Sequence, residues 1–366
     1  MSTWGKVATT ASIVTGVIGA AAIGGLTAQR RAVRKYRAYN GSEHGEFDSL
    51  AADRTYSVVA EDGVALHVEE VGPENAPLTI VFAHGWTLRL GAWYYQRVTL
   101  SGKGFGTGKA GPRARLVFYD QRSHGRSGRS TPQNVTMEHL AADLKAVIDT
   151  AAPTGPLVIV GHSMGGMATM TLAGRCPDLF AERVAGVALI STAANQVSIP
   201  GISKALLRTG SPLVRLVTGV VSRYGDVLER GRAGGRDVVW LVTRAFGFAR
   251  QDVPGDLVDY LDEMISGTPV DVIAEFLPAV TAIDAAAALP ALSDIPTVII
   301  CGDADRITPL ALSEFIAQAL PRAELVVIPG AGHMAILEEP DQVNQALRGL
   351  LRQVAERAGL MGASRK

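Results

Sequence analysis

Six short runs rich in Val, Ile and Leu, each closed by a polar or Gly-containing turn, constrain this chain more than any other feature. They lie at 78–83, 115–119, 157–160, 184–190, 297–301 and 325–328, and helical spacing covers 91–100, 137–150, 164–175, 309–319 and 341–356. Near-continuous apolar runs of this length read as strands buried on both faces. Their alternation with helices predicts an α/β fold with a mostly parallel, doubly wound sheet. Residues 55–60 and 64–71 flank Asp62-Gly63, a hairpin signal that adds antiparallel strands at one edge.

The alternation breaks between 195 and 293, where no strand-like run is bounded by turn signals and the patterns are helical. A structureless loop of that length is not expected in a folded domain. The stretch therefore reads as a helical cap inserted into a core made of 54–194 and 294–357, with 358–366 as a tail. Its charge is divided: 204–250 carries nine basic and three acidic residues, 251–294 nine acidic and none basic. Either the two halves pair or solvate, or the basic half faces anionic lipid headgroups.

The N-terminus has its own character. Residues 7–29 carry no charge, and as a helix they would reach about 34 Å, enough for a hydrocarbon core of about 30 Å. Gly16, Ala20 and Gly24 have the small-residue spacing of closely approaching membrane helices. Arg30, Arg31, Arg34, Lys35 and Arg37 follow, against Lys6 alone before the run, which puts the C-terminal bulk in the cytoplasm. Residues 1–37 are thus expected to be a membrane anchor with a basic flank, joined by a linker at 38–53. A cleaved signal peptide leading to export, or a peripheral leader, are the alternative readings; the first normally carries its positive charge ahead of the apolar run.

Formal net charge is zero, so no global field draws the protein to nucleic acid. The two cysteines, Cys176 and Cys301, have no CxxC partner, which excludes a cysteine-based zinc site and fits a reducing compartment. Gly106-x-Gly108-x-x-Gly111 follows a helix and leads into a strand, the reverse of a dinucleotide fingerprint.

The chemistry concentrates in one constellation. Gly161-His162-Ser163-Met164-Gly165 joins a strand to an amphipathic helix, the context in which a serine is held exposed on a strained turn. Gly161 and Gly165 are expected to be needed there because a side chain would collide across the turn. A serine hydroxyl needs a base. Of the seven histidines, His333 alone sits in a Gly-rich loop directly after a late strand; His162, beside the serine, should point away from it. The base in turn needs an acid. The strand at 297–301 leads to Asp303 and Asp305, of which Asp305 is deeper in the loop and Asp303 reads as turn-forming or Arg-paired. Oxyanion donors are expected from the N–H of Met164 and, in the loop His84-Gly85-Trp86, the N–H of Trp86.

With these pieces in place, the sequence resembles the α/β-hydrolase superfamily, in its branch of cap-bearing serine esterases, lipases and cofactor-free haloperoxidase-like enzymes. The resemblance covers 55–357 and rests on His84-Gly85, Asp120-x-Arg122-x-x-Gly125-x-Ser127, Gly161-His162-Ser163-Met164-Gly165-Gly166, Gly302-x-x-Asp305-x-x-x-Pro309 and Gly332-His333. It supports Asp305 over Asp303. Ser123 departs from the glycine usual at its position, at a structural turn. Relatives that open epoxides or remove halide carry aspartate where Ser163 stands, so the cap tyrosines Tyr224 and Tyr260 do not imply that chemistry. The serine and the resemblance imply acyl transfer without cofactor or metal, and the apolar cap and the expected anchor suggest as substrate a small-molecule or lipid ester such as a monoacylglycerol or another medium-to-long acyl ester. Thioester cleavage, acyl transfer to another acceptor, perhydrolysis and carbon–carbon bond hydrolysis are rival uses of the same triad, and a catalytically silent membrane-anchored interaction protein is a different class of answer. Oligomeric state is not legible.

Overall fold

The structure, a computed structural model, describes residues 33–36, 47, 49–101, 113–195, 219, 223 and 236–360. Among them eight strands form one sheet: β1 (Arg54–Val59), β2 (Ala65–Val71), β3 (Leu78–Ala83), β4 (Ala114–Tyr119), β5 (Leu157–His162), β6 (Val184–Ile190), β7 (Thr297–Gly302) and β8 (Glu324–Ile328). Their order is β1-β2-β4-β3-β5-β6-β7-β8. The hairpin β1–β2 is antiparallel and β2 pairs antiparallel with β4, whereas β4, β3, β5, β6, β7 and β8 run parallel. The helices are α1 (Tyr94–Ser101), α2 (Met137–Ala151), α3 (Met164–Arg175), α4 (Pro177–Glu182), α5 (Arg236–Gly247), α6 (Gly255–Gly267), α7 (Val270–Thr281), α8 (Leu310–Ala319), α9 (Ala335–Glu338) and α10 (Pro340–Arg357).

Because side chains alternate across a strand, the apolar runs supply two cores. Val81, Ala83, Val117, Ile159, Val187, Leu189 and Ile299 face α2 and α3. Ile80, Phe82, Phe118, Val158, Val160, Ile190 and Ile300 face the other way, with Trp93, Leu100 and the α10 residues Leu347 and Leu351. All six residues of β3, β5 and β7 are buried, whereas the edge strand β1 alternates. The parallel strands therefore deliver their following loops to one edge of the sheet.

Between β6 and β7 the described residues form α5, α6, α7 and a 3-10 stretch, Ala286–Leu292. The acids of this region meet the core's arginines: Asp271 and Glu275 pair with Arg129, and Glu263 with Arg89. Trp240 and Thr243 of α5 donate to Asp259 and Asp262 of α6 at 2.6 and 3.1 Å, so the two halves of the region also meet each other. Tyr260 donates to the Gly91 carbonyl at 2.8 Å, tying α6 to the 3-10 turn Leu90–Trp93 that precedes α1.

The apolar run 7–29, most of the linker, the loop 102–112, Tyr224 and residues 361–366 lie outside the described residues. Among the described helices, no single one is long and apolar enough to cross a membrane. Parts of the segments read as flank and linker belong to the fold: Val33 is buried, and Phe47 stacks on Tyr260 with ring centroids 4.5 Å apart.

The loop after β4 is fixed by Arg122, which is fully buried. Its guanidinium meets Asp143 of α2 through Nε and Nη2 at 2.6 and 2.7 Å, and Asp62 of the β1–β2 turn at 2.8 Å. Burial pushes the Asp143 carboxyl up, against the pull of Arg122. Ser123, where glycine was expected from the resemblance, has φ +63, and its hydroxyl accepts from the Ser130 N–H at 2.9 Å. Arg122→Ala would strand Asp143 without its counter-ion and is expected to cost about 3–5 kcal/mol. Lys145→Ala, which breaks an exposed pair with Asp149, should cost about 0–1 kcal/mol. Urea unfolding measures both; an Arg122→Ala protein as stable as Lys145→Ala would remove Arg122 from this role.

Candidate active site

β5 ends at His162 and α3 begins at Met164, which leaves Ser163 alone in the turn at φ +51 and ψ −117, a region costly for any residue with a Cβ. Surrounding bonds hold it there. The Ser163 N–H donates to the Ile190 carbonyl at 2.9 Å, and its carbonyl accepts from the Thr192 hydroxyl at 2.7 Å. A Cβ on Gly161 would lie 2.6 Å from the Gly166 nitrogen, so that glycine is needed within the turn. Gly165 is needed for another reason. Its Cβ would lie 2.1 Å from the Ala83 carbonyl oxygen, so it lets α3 approach the end of β3 and does not serve its own turn, contrary to expectation.

His333 and Asp305 arrive on loops that follow β8 and β7. His333 Nε2 lies 3.1 Å from Ser163 Oγ, and its Nδ1 lies 2.9 Å from Asp305 Oδ2. All three residues are buried. Asp305 is fixed by its own loop: Oδ1 accepts the N–H groups of Ile307 and Thr308 at 2.8 and 2.9 Å, and Oδ2 accepts the Thr308 hydroxyl at 2.8 Å. Burial opposes its charge, but His333 and the Thr308 bonds outweigh burial and hold the carboxyl below its ordinary range. Asp303 instead accepts the Gly330 N–H at 2.7 Å, a turn-forming contact. Thr308 is a contributor that motif reading missed. The spacing Asp305-x-x-Thr308 ahead of a helix is the signal that could have found it, because Asp side chains bond backbone two and three residues on. Thr192 had no such signal.

The loop after β3 is braced by histidines. His84 Nδ1–H donates to the Gly85 carbonyl at 2.7 Å, and its Nε2 accepts the Gln121 N–H at 3.0 Å. His124 accepts the Thr87 N–H at 3.1 Å through Nε2 and donates to the Arg122 carbonyl from Nδ1. A Cβ on Gly85 would fall 2.9 Å from His162 Nδ1 and 3.2 Å from Ser163 Cβ, so this loop passes directly over the serine. The backbone N–H groups of Trp86 and Met164 meet no acceptor among the described residues. His162 does turn away from Ser163 Oγ; its Nε2–H donates to the His333 carbonyl at 3.0 Å, beneath the loop that carries His333.

Burial drives the charge off these braces, holding His84 at about 4 and His124 and His162 at about 3. Among the described residues no group of three or more His, Cys, Asp or Glu side chains is arranged to hold a metal ion.

A strained serine turn, an imidazole and a carboxylate gathered over the end of a mostly parallel sheet define an α/β-hydrolase. Residues 80–346 match the Alpha/beta hydrolase family, and the chain belongs to it. It is similar to a non-heme haloperoxidase of Rhodococcus erythropolis, 29% identical over 79% of this chain and 97% of that protein. It is also similar to a monoacylglycerol lipase of Mycolicibacterium smegmatis, 26% identical over 78% of this chain and 92% of the lipase. Among solved structures, a thermophilic esterase from Thermogutta terrifontis superposes with a TM-score of 0.65 at 27% identity, covering 82% of this chain and 99% of that one. Esterase and lipase relatives make this chain a hydrolase.

The neutral imidazoles predict how acid acts on the fold. Unfolded histidine takes up its proton near 6.5, whereas these three resist until about 3 to 4. The unfolded chain therefore binds more protons in that window, so their contribution is intact above pH 6.5 and falls as pH drops toward 4. Each contributes a slope of up to about 1.4 kcal/mol per pH unit. Asp120, Asp143 and Glu338, pushed up by burial, act in the opposite sense. Because the two sets oppose each other in the net profile, the rings themselves are the readout: imidazole NMR shifts should show His84, His124 and His162 neutral from pH 7.5 to 5, and a ring that titrates near 6.5 would contradict its burial as a neutral group.

Proposed function

We propose that the protein hydrolyses carboxylic esters through an acyl-enzyme, with Ser163 as nucleophile, His333 as general base and Asp305 as its orienting acid. The observation that carries this reading is the 3.1 Å separation of His333 Nε2 from Ser163 Oγ, with Asp305 2.9 Å behind the ring. As Oγ attacks the ester carbonyl, Nε2 takes its proton and the carbonyl oxygen becomes an oxyanion. The N–H groups of Trp86 and Met164 are the donors for that charge. The imidazolium, stabilised by Asp305, passes the proton to the departing alcohol. Water then gives a proton to Nε2 while attacking the acyl carbon, and the proton returns to Ser163 as the acid leaves.

The substrate in this reading is a lipid-like acyl ester. It is supported by the apolar residues of α6 and α7, by the monoacylglycerol lipase relative, and by the uncharged run 7–29 with its basic flank, which would anchor the enzyme in a membrane with its catalytic part in the cytoplasm. The segment 195–293 serves as the cap over the site, on the core formed by 54–194 and 294–357.

Full-length protein should be labelled by a fluorophosphonate probe and should hydrolyse p-nitrophenyl esters, with Ser163→Ala losing the label and at least about a thousandfold in kcat/KM. Equal labelling of Ser163→Ala would sink the nucleophile assignment. Deleting residues 1–29 should release the protein from membranes while leaving esterase activity on a soluble ester; unchanged partitioning would remove the anchor.

A further inference from the structure

The loop that leads to His333, Pro329-Gly330-Ala331-Gly332, has no polar side chain of its own and is held through its backbone. Gly330 has φ +72, and a Cβ on Gly332 would lie 2.7 Å from the Ala249 nitrogen and 3.0 Å from the Gly247 carbonyl oxygen. It therefore lies backbone to backbone against the turn that follows α5. The Met334 N–H donates to the Gly247 carbonyl at 2.8 Å.

Glu338, at the end of α9, joins the two segments. Its Oε1 accepts the N–H groups of Ala249 and Arg250 at 2.8 and 2.6 Å, and its Oε2 accepts the Gly332 N–H at 2.5 Å. One carboxylate thus ties the residue before His333 to the turn beyond α5. A neutral amide cannot do this, because one of its two ends is itself a donor.

The same turn is held through its carbonyls by Arg244, a buried residue. Its guanidinium donates to the Phe248 carbonyl at 3.2 Å and to the Arg250 carbonyl. The third bond of that guanidinium leaves the cap region: Nε donates to the hydroxyl of Tyr36 at 2.7 Å. Tyr36 in turn donates to the Val253 carbonyl at 2.8 Å, its ring packs edge-on against Trp240 at 5.4 Å, and Arg244 lies over that ring at 5.1 Å. Tyr36 lies seven residues after the uncharged run 7–29.

We propose that Tyr36, which precedes the first strand, is part of the support of the catalytic base. Tyr36 holds Arg244, Arg244 grips the Phe248–Arg250 turn by its carbonyls and Glu338 by its N–H groups, and Glu338 holds Gly332 and with it His333. Glu338, Arg244 and Tyr36 are positioning residues that touch no reacting atom. This rests on the serine-hydrolase reading and deepens it, making the seating of Tyr36 on α5 a determinant of turnover. A base displaced by a fraction of an ångström loses rate without losing substrate affinity, since a misplacement of about 1 Å costs about a hundredfold.

The test uses the full-length protein with Tyr36→Phe, Glu338→Gln and the double variant, a soluble p-nitrophenyl ester, fluorophosphonate labelling rates and thermal melts. Glu338→Gln should lower kcat and the labelling rate about tenfold to a hundredfold, with KM within about twofold. Tyr36→Phe, which keeps the ring and removes one hydroxyl, should lower both about threefold to tenfold while staying folded at the assay temperature, its melt a few degrees lower because Arg244 and the Val253 carbonyl each lose a partner. The double variant should be no slower than Glu338→Gln alone, because residues acting as one unit are not additive. Wild-type turnover in Tyr36→Phe, or losses that multiply in the double variant, overturns the link to Tyr36, and Tyr36→Phe decides the matter even if Glu338→Gln melts early. A wild type that is neither labelled nor active is a different failure: it takes the serine-hydrolase reading down, and this proposal with it.

Discussion

The turn at Ser163 is the constraint around which the C-terminal edge of the sheet is arranged. A non-glycine residue at φ +51 costs on the order of 1–3 kcal/mol, and it persists only because neighbours over-determine it. β6 supplies an acceptor through Ile190, the segment just after it a donor through Thr192, and β3 ends against Gly165. The strain is not confined to the serine. Among the described residues, the four non-glycine positions with positive φ are Thr87, Ser123, Ser163 and Ser191. They follow β3, β4, β5 and β6, the four consecutive strands at the centre of the sheet. Each is held by a specific bond: Thr87 by His124, Ser123 by Gly128 and Ser130, Ser191 by the Ile300 carbonyl. The sheet supplies rigidity, and its central loops are bent hard over one edge, where a substrate can be reached.

The buried histidines belong to the same design. Imidazole is rigid, offers one donor and one acceptor when neutral, and so bridges two loops at fixed distance. Its cost is the chance of acquiring charge, and burial suppresses that chance. The suppression matters most at His162, whose ring centroid is 5.0 Å from that of His333. A second imidazolium there would oppose the charged form of His333 by about 3 kcal/mol at an effective dielectric of about 20. With His162 neutral, the imidazolium of the proposed mechanism meets the Asp305 carboxylate without that competition.

Much of this was legible in the chain before its fold was known, for physical reasons that also mark where reading stopped. Continuous apolar runs bounded by turns have one stable use, so Leu78–Ala83 and Val184–Ile190 emerge with the bounds their residues suggest. β5 extends two residues past its apolar run because Gly161 and His162 still pair with Leu189 and Ile190. Turn residues can remain in a ladder, and hydrophobicity does not report it. The helical character of 236–281 followed from its lack of strand runs, but its docking did not. Arg129 and Arg89 meet acids more than a hundred residues away, and spacing carries no information at that range. Glu338 was invisible for a related reason: it acts on backbone amides, which every residue has, so no residue type marks its partners.

The supports of the site divide by origin. The serine and the loop of Trp86 are held almost wholly by the sheet and its histidines. The His333 loop is held from beneath by His162 and by the Ala304 N–H, which donates to the Ala331 carbonyl at 3.1 Å, and from outside by Glu338 and the Gly247 carbonyl. Its outer grip therefore ends on α5, an element of the inserted region, and through Arg244 on Tyr36, which precedes the fold's first strand. A shift of α5 cannot leave the imidazole untouched, because Glu338 spans the gap with both oxygens committed. The same shift has no comparable route to the Ser163 backbone, whose bonds run to Ile190 at the end of β6 and to Thr192 just beyond it. In the proposed reading, movement of the inserted region is expressed as a change in the distance between His333 Nε2 and Ser163 Oγ, the distance on which proton transfer would depend.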